Sequence, residues 1–382
     1  MAKRRSSGEG SIRKRADGRW EGRYVAGHDT NGKAIRKNVL GKTQAEVREK
    51  LKRALETCKV IDISKAEDYT VESWVKTWYE VYSKPNLRES TQERYSNHIK
   101  YQIIPEIGHI KLTKLKSRDV QLMYNNVRKN GRVNASSKKG KGLAASYVQS
   151  LHRMFHMCLQ RAVKERLIPF NPSDDCVLPK DEKKEMKTLK PEDTKKYLDE
   201  AKRREVLPMF FLELCTGLRL GELVALLWTD LDTKNNTVSI TKQASRNKGG
   251  GAKVTKPKTA TSNRIESIPQ EAVALLIAEH EKHPDNPYMF PSPVTGEMYY
   301  PDAVSKLHTK ILKSAGLEHI RFHDLRHTFA TTALQNGVDI RTVSGMLGHA
   351  DPGFTLRTYT HATTKAQTEA AQTMGQVMAM QL

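Results

Sequence analysis

Cysteine is scarce in this sequence. Four residues, Cys58, Cys158, Cys176 and Cys215, are scattered through 382 positions with no CxxC pair. That spacing excludes a disulfide-stapled scaffold and a cysteine-based zinc site, and it fits a reducing compartment. Long apolar runs are missing too. Hydrophobic residues make up 37% of the chain and the mean hydropathy is −0.64. No stretch approaches the ~20 residues needed to cross a bilayer, so no membrane partner is expected. The N-terminal MAKRRSSGEG has basic residues but no apolar stretch behind them, so no secretory signal is expected. Signatures of nucleotide and hydrolase chemistry are absent: there is no Walker loop, no dinucleotide fingerprint after a strand, no GxSxG and no HExxH. No carboxylate cluster in the sequence suggests a two-metal nuclease. No cofactor is expected.

What the chain does have is positive charge. Lys and Arg number 65 against 43 Asp and Glu, a formal net charge of +22. Such a surplus points to a polyanion as partner, and first to nucleic acid. It is unevenly spread: residues 1–60 hold 17 Lys/Arg and 7 Asp/Glu, nearly half of the surplus in under a sixth of the chain. This segment reads as strands, with large and basic residues alternating from Gly18 to Val25. A turn follows at Asp29–Lys33, where Asn31-Gly32 favours a tight hairpin, and Ala34–Val39 returns as a strand. Thr43-Gln44-Ala45-Glu46 is a capping box opening a helix to about Cys58. A small basic sheet with one helix, Arg interleaved with Trp and Tyr, suits DNA binding better than a solvated hairpin.

After a linker at 61–69 the period becomes helical. Val71, Trp74, Val75, Trp78 and Tyr79 share one face. A second helix is expected from Ser90, Pro105 and Gly108 break the pattern, another helix starts near Lys116, and a longer one runs from Ala144 to Leu167. The insert Lys129–Gly142 reads as a flexible basic loop suited to a phosphate backbone. Residues 70–170 thus form a helical, basic domain, and the prolines at 169, 172 and 179 mark a linker at 171–187. The remainder, 188–363, is mostly helical with a small sheet from Thr237–Ile240 and Arg264–Ile268. The segment 364–382 has few helix breakers and an apolar stripe at Ala370, Met374 and Met378.

Five short segments could do chemistry. In Cys215–Leu223, Gly217 can relax the backbone beside Arg219, with Glu222 one turn on; Arg suits a two-pronged grip on phosphate. Alone, this would be a surface Arg–Glu pair. Pro257-Lys258-Thr259 precedes a strand, and alone Lys258 would be a solvated edge residue. In Arg321–His327, His323 and Arg326 share a helical face. His327 is four residues from His323, a spacing open to a metal pair but with no third ligand at a known distance. Leu347-Gly348-His349 ends a helix that begins near Asp339, and Tyr359 follows ten residues after His349.

In that order, TGLRLGEL, PKT before a strand, HDLRH, LGH and a later Tyr closely resemble the tyrosine recombinase (phage integrase) family. The motifs span Thr188 to His361, and the basic N-terminal module is most like that of conjugative-transposon and temperate-phage integrases. The resemblance implies a multidomain fold, mainly α with small β-sheets. It comprises an arm-type DNA-binding domain at 1–60 (three-stranded sheet plus helix), a helical core-type DNA-binding domain at 70–170, an α+β catalytic domain at 188–363 and a tail helix at 364–382 for protomer contacts. It implies that Arg219 and Arg326 grip the scissile phosphate and that His349 donates a further hydrogen bond to it. His323 would assist proton transfer at the nucleophile. Lys258 would be the general acid, with Lys256 the alternative. Tyr359 would be the nucleophile of a 3′-phosphotyrosyl intermediate. The implied partners are double-stranded DNA with core-type and arm-type sites, a homotetramer formed on DNA, and a directionality factor. The implied location is the bacterial cytoplasm, on the nucleoid. A type IB topoisomerase shares the chemistry, a telomere resolvase is a further relative, and a non-catalytic DNA-binding regulator would share the charge.

Overall fold

The structure, a computed structural model, describes residues 10–28, 34–60, 69–133, 140–181, 186–246, 251–255, 263–349, 351–359, 371–372, 374–376 and 378–379, with 27, 28, 57–60 and 246 described in backbone only. The chain divides into two compact units, Met1–Lys183 and Lys184–Leu382. Both are built mainly of helices, with small antiparallel sheets, as expected.

The first unit begins with a three-stranded sheet of β1 (Ser11–Lys14), β2 (Trp20–His28) and β3 (Ala34–Gly41), in that order. Helix α1 (Gln44–Val60) covers it, with Val47 and Leu51 buried over Gly22. Its start is fixed by the expected box: Thr43 Oγ1 accepts from Glu46 N at 3.2 Å. The Glu46 carboxylate, however, accepts from Lys42 N at 2.9 Å rather than from the cap residue itself. The strands present charge in an ordered way. Buried Glu21 accepts from Asn38 at 2.7 Å and from Arg13 at 2.7 Å, with Arg23 3.2 Å away. These hydrogen bonds hold its carboxyl down to about 2, so it stays ionised and fixes two exposed arginines on the sheet. The expected turn at Asp29–Lys33 lies outside the described residues.

Next come α2 (Val71–Thr77), α3 (Glu89–His98), α4 (Ile104–Ile107), α5 (Ser117–Asn130) and α6 (Ala145–Lys164). Every residue of the predicted stripe Val71, Trp74, Val75, Trp78 and Tyr79 is buried. Trp74 also donates to Cys158 O at 3.1 Å, tying α2 to α6. Two local expectations need correcting. The helix expected from Ser90 starts one residue earlier, at Glu89, because Arg88 rather than Ser90 is the cap residue, and it has no side-chain cap; the Gln92 amide donates to Lys84 O and Leu87 O and braces the turn before it. Pro105 does not end the helical path. It is the second residue of α4, directly after a π-helical turn at Ile99–Ile103, and the helical path runs on through it. The base of the basic insert is pinned, Arg132 N donating to Lys141 O at 2.9 Å; residues 134–139 lie outside the described residues. The proline-rich stretch from 171 stays strapped to the bundle. Val177 N donates to Gln121 at 2.7 Å, and Gln149 donates to Pro179 O at 2.9 Å.

The second unit contains α7 (Pro191–Arg203), α8 (Leu207–Thr216), α9 (Leu220–Leu223), α10 (Gln270–His280), α11 (Pro301–Ser314), α12 (Phe322–Gln335), α13 (Ile340–Met346) and α14 (Pro352–Tyr359). Strands β4 (Leu231–Asp232), β5 (Thr237–Ile240) and β8 (Arg264–Ser267) form one antiparallel sheet, and β6 (Gln243–Arg246) pairs with β7 (Ala252–Thr255). The β5–β8 pairing was legible in the sequence, whereas the β6–β7 hairpin was not. The main core gathers Phe210, Leu212, Leu223, Ile311 and Leu325. A smaller one gathers Phe329, Val343, Leu347 and Tyr359. Of the expected tail helix, residues 371–372, 374–376 and 378–379 are helical, with Met374 and Met378 exposed; Ala370 lies outside the described residues.

Buried His308 is fully satisfied: Nδ1 takes the Tyr197 hydroxyl at 2.8 Å and Nε2 donates to Ile320 O at 3.0 Å. Burial pushes it down to about 4, and burial does the same to His98 in the first unit. Both histidines therefore fold neutral. Above pH 6.5 they are neutral in the unfolded chain as well and cost nothing. Between pH 6.5 and 4 the unfolded chain takes up the protons and the folded chain does not, so stability falls with pH. Urea melts followed by circular dichroism are expected to lose up to about 1.4 kcal/mol per pH unit for each of these histidines in that window. His308→Gln should flatten the dependence in the second unit. A pH-independent midpoint in the wild type would show that the histidines charge without unfolding.

Candidate active site

Three arginines converge on the C-terminal end of α13. Arg264 Nε donates to Met346 O at 2.8 Å, Arg326 donates to Leu347 O, and Arg219 donates to Gly348 O at 3.3 Å. Three successive carbonyls thus receive three guanidinium groups. The last carbonyls of a helix have no partner within it and carry partial negative charge, so cations there are favoured. Gly348 makes the turn at φ +59, and a Cβ on it would stand 3.0 Å from the Arg264 guanidinium.

Arg326 is the most enclosed, at 2% exposure. Its other arm donates to Gly217 O at 2.7 Å, the end of α8, and it also approaches His349 Nε2 at 3.0 Å. Burial, and then the charge of Arg219, push it down to about 10, which leaves it charged at neutral pH. Arg219 follows Gly217 as the N-cap of α9 and is 35% exposed in its side chain. Gly217 lies at φ +62, and a Cβ there would meet Phe329 at 2.6 Å. Only glycine allows the turn that brings Arg219 beside Arg326.

Glu222 braces the pair. It accepts from Arg219 at 2.7 Å and from Arg264 at 3.0 Å, and it is 1% exposed. The sequence allowed a surface pair here; the structure makes it a buried bridge. Burial pushes Glu222 up, but Arg264 and Arg219 together hold it below its usual value, so it is ionised. Glu266 also accepts from Arg264, at 2.6 Å, yet burial raises it to about 7. Fully buried Glu213 is pushed well above the carboxylate range and is neutral. Three guanidinium groups therefore face one firmly ionised carboxylate and one at its midpoint. The cluster keeps net positive charge, with Arg219 its most open member.

Histidines complete the site. Burial, then the charges of Arg326 and Arg219, push His349 down to about 4. Its Nε2 accepts from Arg326 and its Nδ1 donates to Thr355 Oγ1 at 2.8 Å. Asp324 starts α12 by accepting from Arg321 N at 2.7 Å and from the Arg321 side chain. One turn along this helix, the rings of His323 and His327 meet edge to face, 4.9 Å apart. Tyr359 ends α14 with 3% exposure, and its hydroxyl lies 2.6 Å from His327 Nδ1. Burial raises this phenol to about 12, against the opposing charge of Arg326.

The structure thus brings Arg219, Arg326, His349 and Tyr359 together, with His323 one ring away. Lys258 and its alternative Lys256 lie outside the described residues. Sequence reasoning missed Arg264, which was read only as part of a strand, and Glu222 as a shared buried brace. It considered His327 only as half of a metal pair. No group of three or more potential ligands that could hold a metal occurs among the described residues.

Gly217→Ala is expected to destabilise the second unit by about 2 kcal/mol, through strain at positive φ plus collision with Phe329. Gly316→Ala is the internal control: it has a similar φ of +70 with open space around the new methyl group. Equal losses of thermal midpoint in the two variants would show that the close approach to Phe329 is immaterial.

The chain has relatives among known proteins. Residues 187–366 match the model of the phage integrase family, and residues 70–127 match that of the phage integrase N-terminal SAM-like domain. A XerC-like tyrosine recombinase of Caldanaerobacter subterraneus subsp. tengcongensis is 28% identical, over 91% of this chain and 93% of its own. The ICEBs1 integrase of Bacillus subtilis is 25% identical, over 96% of this chain and 100% of its own. Among solved structures, the Tn1549 transposon integrase in complex with a circular intermediate DNA superposes with a TM-score of 0.68 at 19% identity, covering 79% of this chain and 99% of its own. A lambda integrase tetramer bound to a Holliday junction gives 0.58 at 17% identity, covering 89% and 96%. Both likenesses are in fold. The chain belongs to the phage integrase family, and it is a tyrosine recombinase, an enzyme of site-specific DNA recombination.

Proposed function

We propose that Tyr359 is the nucleophile of this recombinase, that Arg219 and Arg326 form its phosphate-binding cradle, and that His349 joins them when DNA binds, its Nε2 leaving Arg326 to donate to the phosphate while Nδ1 accepts from the Thr355 hydroxyl. The observation that carries the reading is the guanidinium pair held on the carbonyls of Gly217, Leu347 and Gly348, beside a buried phenol on which the charge of Arg326 bears. A phosphodiester carries one negative charge, and attack adds a second. Two rigid guanidinium forks aimed there stabilise the added charge without having to reorganise. Attack by Tyr359 oxygen on phosphorus expels the 5′ oxygen, and Lys258 protonates that leaving group. Proton transfer of this kind contributes about 10²–10⁴-fold. The phosphotyrosyl ester conserves the energy of the broken bond, so rejoining needs no nucleotide cofactor.

Around this chemistry, residues 188–363 act as the catalytic domain and residues 70–170 grip core-type sites. The basic sheet module of residues 1–60 grips arm-type sites, where a directionality factor would act. The tail from residue 364 docks on a neighbouring protomer within a tetramer. The biological reaction is integration and excision of a mobile element through a Holliday junction, carried out on the nucleoid in the bacterial cytoplasm. Electrostatic contact to phosphates makes binding weaken steeply with salt.

The probe is a nicked suicide duplex carrying the joined ends of the element that encodes the chain. Tyr359→Phe should bind this duplex with unchanged Kd and form no covalent complex on denaturing gels. Covalent trapping by that variant would move the nucleophile elsewhere. Arg219→Lys should bind within about threefold of wild type yet cleave at least about 100-fold more slowly, because a point charge cannot replace the planar fork. Wild-type cleavage by this variant would make Arg219 structural.

A further inference from the structure

An attacking phenol must lose its proton, and the expected helper, His323, makes no hydrogen bond to Tyr359. The group in contact is His327, whose Nδ1 lies 2.6 Å from the hydroxyl, with the two rings tilted at 56° and 5.7 Å apart. Resting on the reading of Tyr359 as nucleophile, we infer that His327 is the catalytic residue that accepts the Tyr359 proton during cleavage and returns it during rejoining.

The local structure supports this in three ways. First, His327 follows Arg326 on α12, so the helix that anchors the phosphate-binding fork also sets the acceptor. The distance between the two functions is built into one rigid element. Second, the imidazole is neutral and able to accept. Burial, and then the neighbouring His323, push it down to about 4. The groups that bear on it are His323, Arg326, Arg321 and Asp324 on its own helix, and Tyr359 and His349 from the elements packed against it. The arginines oppose an imidazolium and Asp324 favours one. Third, Tyr359 is enclosed by Phe329, Val343 and Leu347, and no other described group hydrogen-bonds its hydroxyl.

The mismatch between a phenol near 12 and an imidazole near 4 dictates timing. A free phenolate–imidazolium pair is not formed at rest. As the Tyr359 oxygen bonds to phosphorus its proton becomes acidic, and the growing negative charge on phosphate oxygens makes the imidazolium favourable. The new bond is tyrosyl oxygen to phosphorus, the broken bond is phosphorus to the 5′ oxygen, the phenolic proton goes to His327 Nδ1, and the 5′ oxygen takes a proton from the general acid. The reverse step returns both.

The test uses the full chain and the suicide duplex named above, in single-turnover reactions with enzyme in excess. His327→Asn places an amide oxygen near the position of Nδ1, so it can still accept the phenol's hydrogen bond but cannot take its proton. His327→Gln is the second variant, and folding is judged by DNA Kd and thermal midpoint. Covalent complex formation by His327→Asn should be at least about 100-fold slower, within the usual range for general base catalysis. Its rate should rise with pH between 7 and 9 much more steeply than that of the wild type, since phenolate must then form unaided. The deficit should persist on a duplex with a 5′-bridging sulfur at the cleaved phosphate, where the leaving group needs no acid. A rate within threefold of wild type, an unchanged pH slope, or rescue by the sulfur substrate would each overturn the inference. Wild-type protein that makes no covalent complex would instead overturn the reading of Tyr359, and the inference with it.

Discussion

A guanidinium ion buried away from water must find compensation for its lost hydration, and the way Arg326 finds it organises the site. A direct carboxylate partner would neutralise the charge that a phosphate needs. Arg326 is met instead by carbonyls at the ends of α8 and α13, and by one imidazole nitrogen. Carbonyl dipoles offset part of the desolvation cost while leaving a net positive charge. The same device serves Arg264 and Arg219 on the flanking carbonyls. Two positive-φ glycines follow from it, because both helices must end abruptly to present those carbonyls. Removing Leu347 O from its position would strand a buried cation, a much larger penalty than the loss of one surface hydrogen bond.

Glu222 has a different task. Arg219 and Arg326 repel each other, which is part of why Arg326 is depressed. Glu222 holds Arg219 and Arg264 from behind without touching Arg326. It thus fixes the position of the open fork while the inner one remains uncompensated by any carboxylate within hydrogen-bond reach. Glu213 and Glu266 would cancel the remaining charge if both were ionised; burial keeps the first neutral and the second near its midpoint. The polarity of the pocket is therefore set as much by which acids fail to ionise as by the arginines themselves.

Arg219, Arg326, His349 and Tyr359, which the structure brings together, could be singled out because each sits in a short segment whose order along the chain is distinctive. Gly217 before Arg219, and Gly348 before His349, also had a readable backbone meaning. The β5–β8 strands and the α2 stripe followed from simple period. What could not be read was contact across long separations. Arg264 and Glu222 are 42 residues apart, and nothing local marks either as buried. The i,i+3 spacing of Arg219 and Glu222 fits a solvated pair equally well, and burial alone separates the two cases. The i,i+4 pair His323 and His327 invited a metal reading, whereas the structure shows that the second ring turns to a tyrosine 32 residues later.

The phosphotyrosyl route makes the chemical step nearly balanced, since one phosphodiester is exchanged for another of similar energy. A pocket that only lowers the barrier speeds both directions alike and cannot choose between joining and excising DNA. Direction must therefore come from differential binding outside the pocket, by surfaces that distinguish the joined from the separated sites. The sheet module suits that task physically. Its exposed arginines are held in place by one buried, firmly ionised Glu21, so it presents a fixed pattern of charge rather than a floppy one. A preorganised charged surface discriminates DNA geometries better than a flexible tail of equal charge, because less ordering cost is incurred on binding. If, as proposed, this sheet holds arm-type sites, its fixed charge pattern favours one arrangement of those sites over another, whereas the pocket treats the two directions alike.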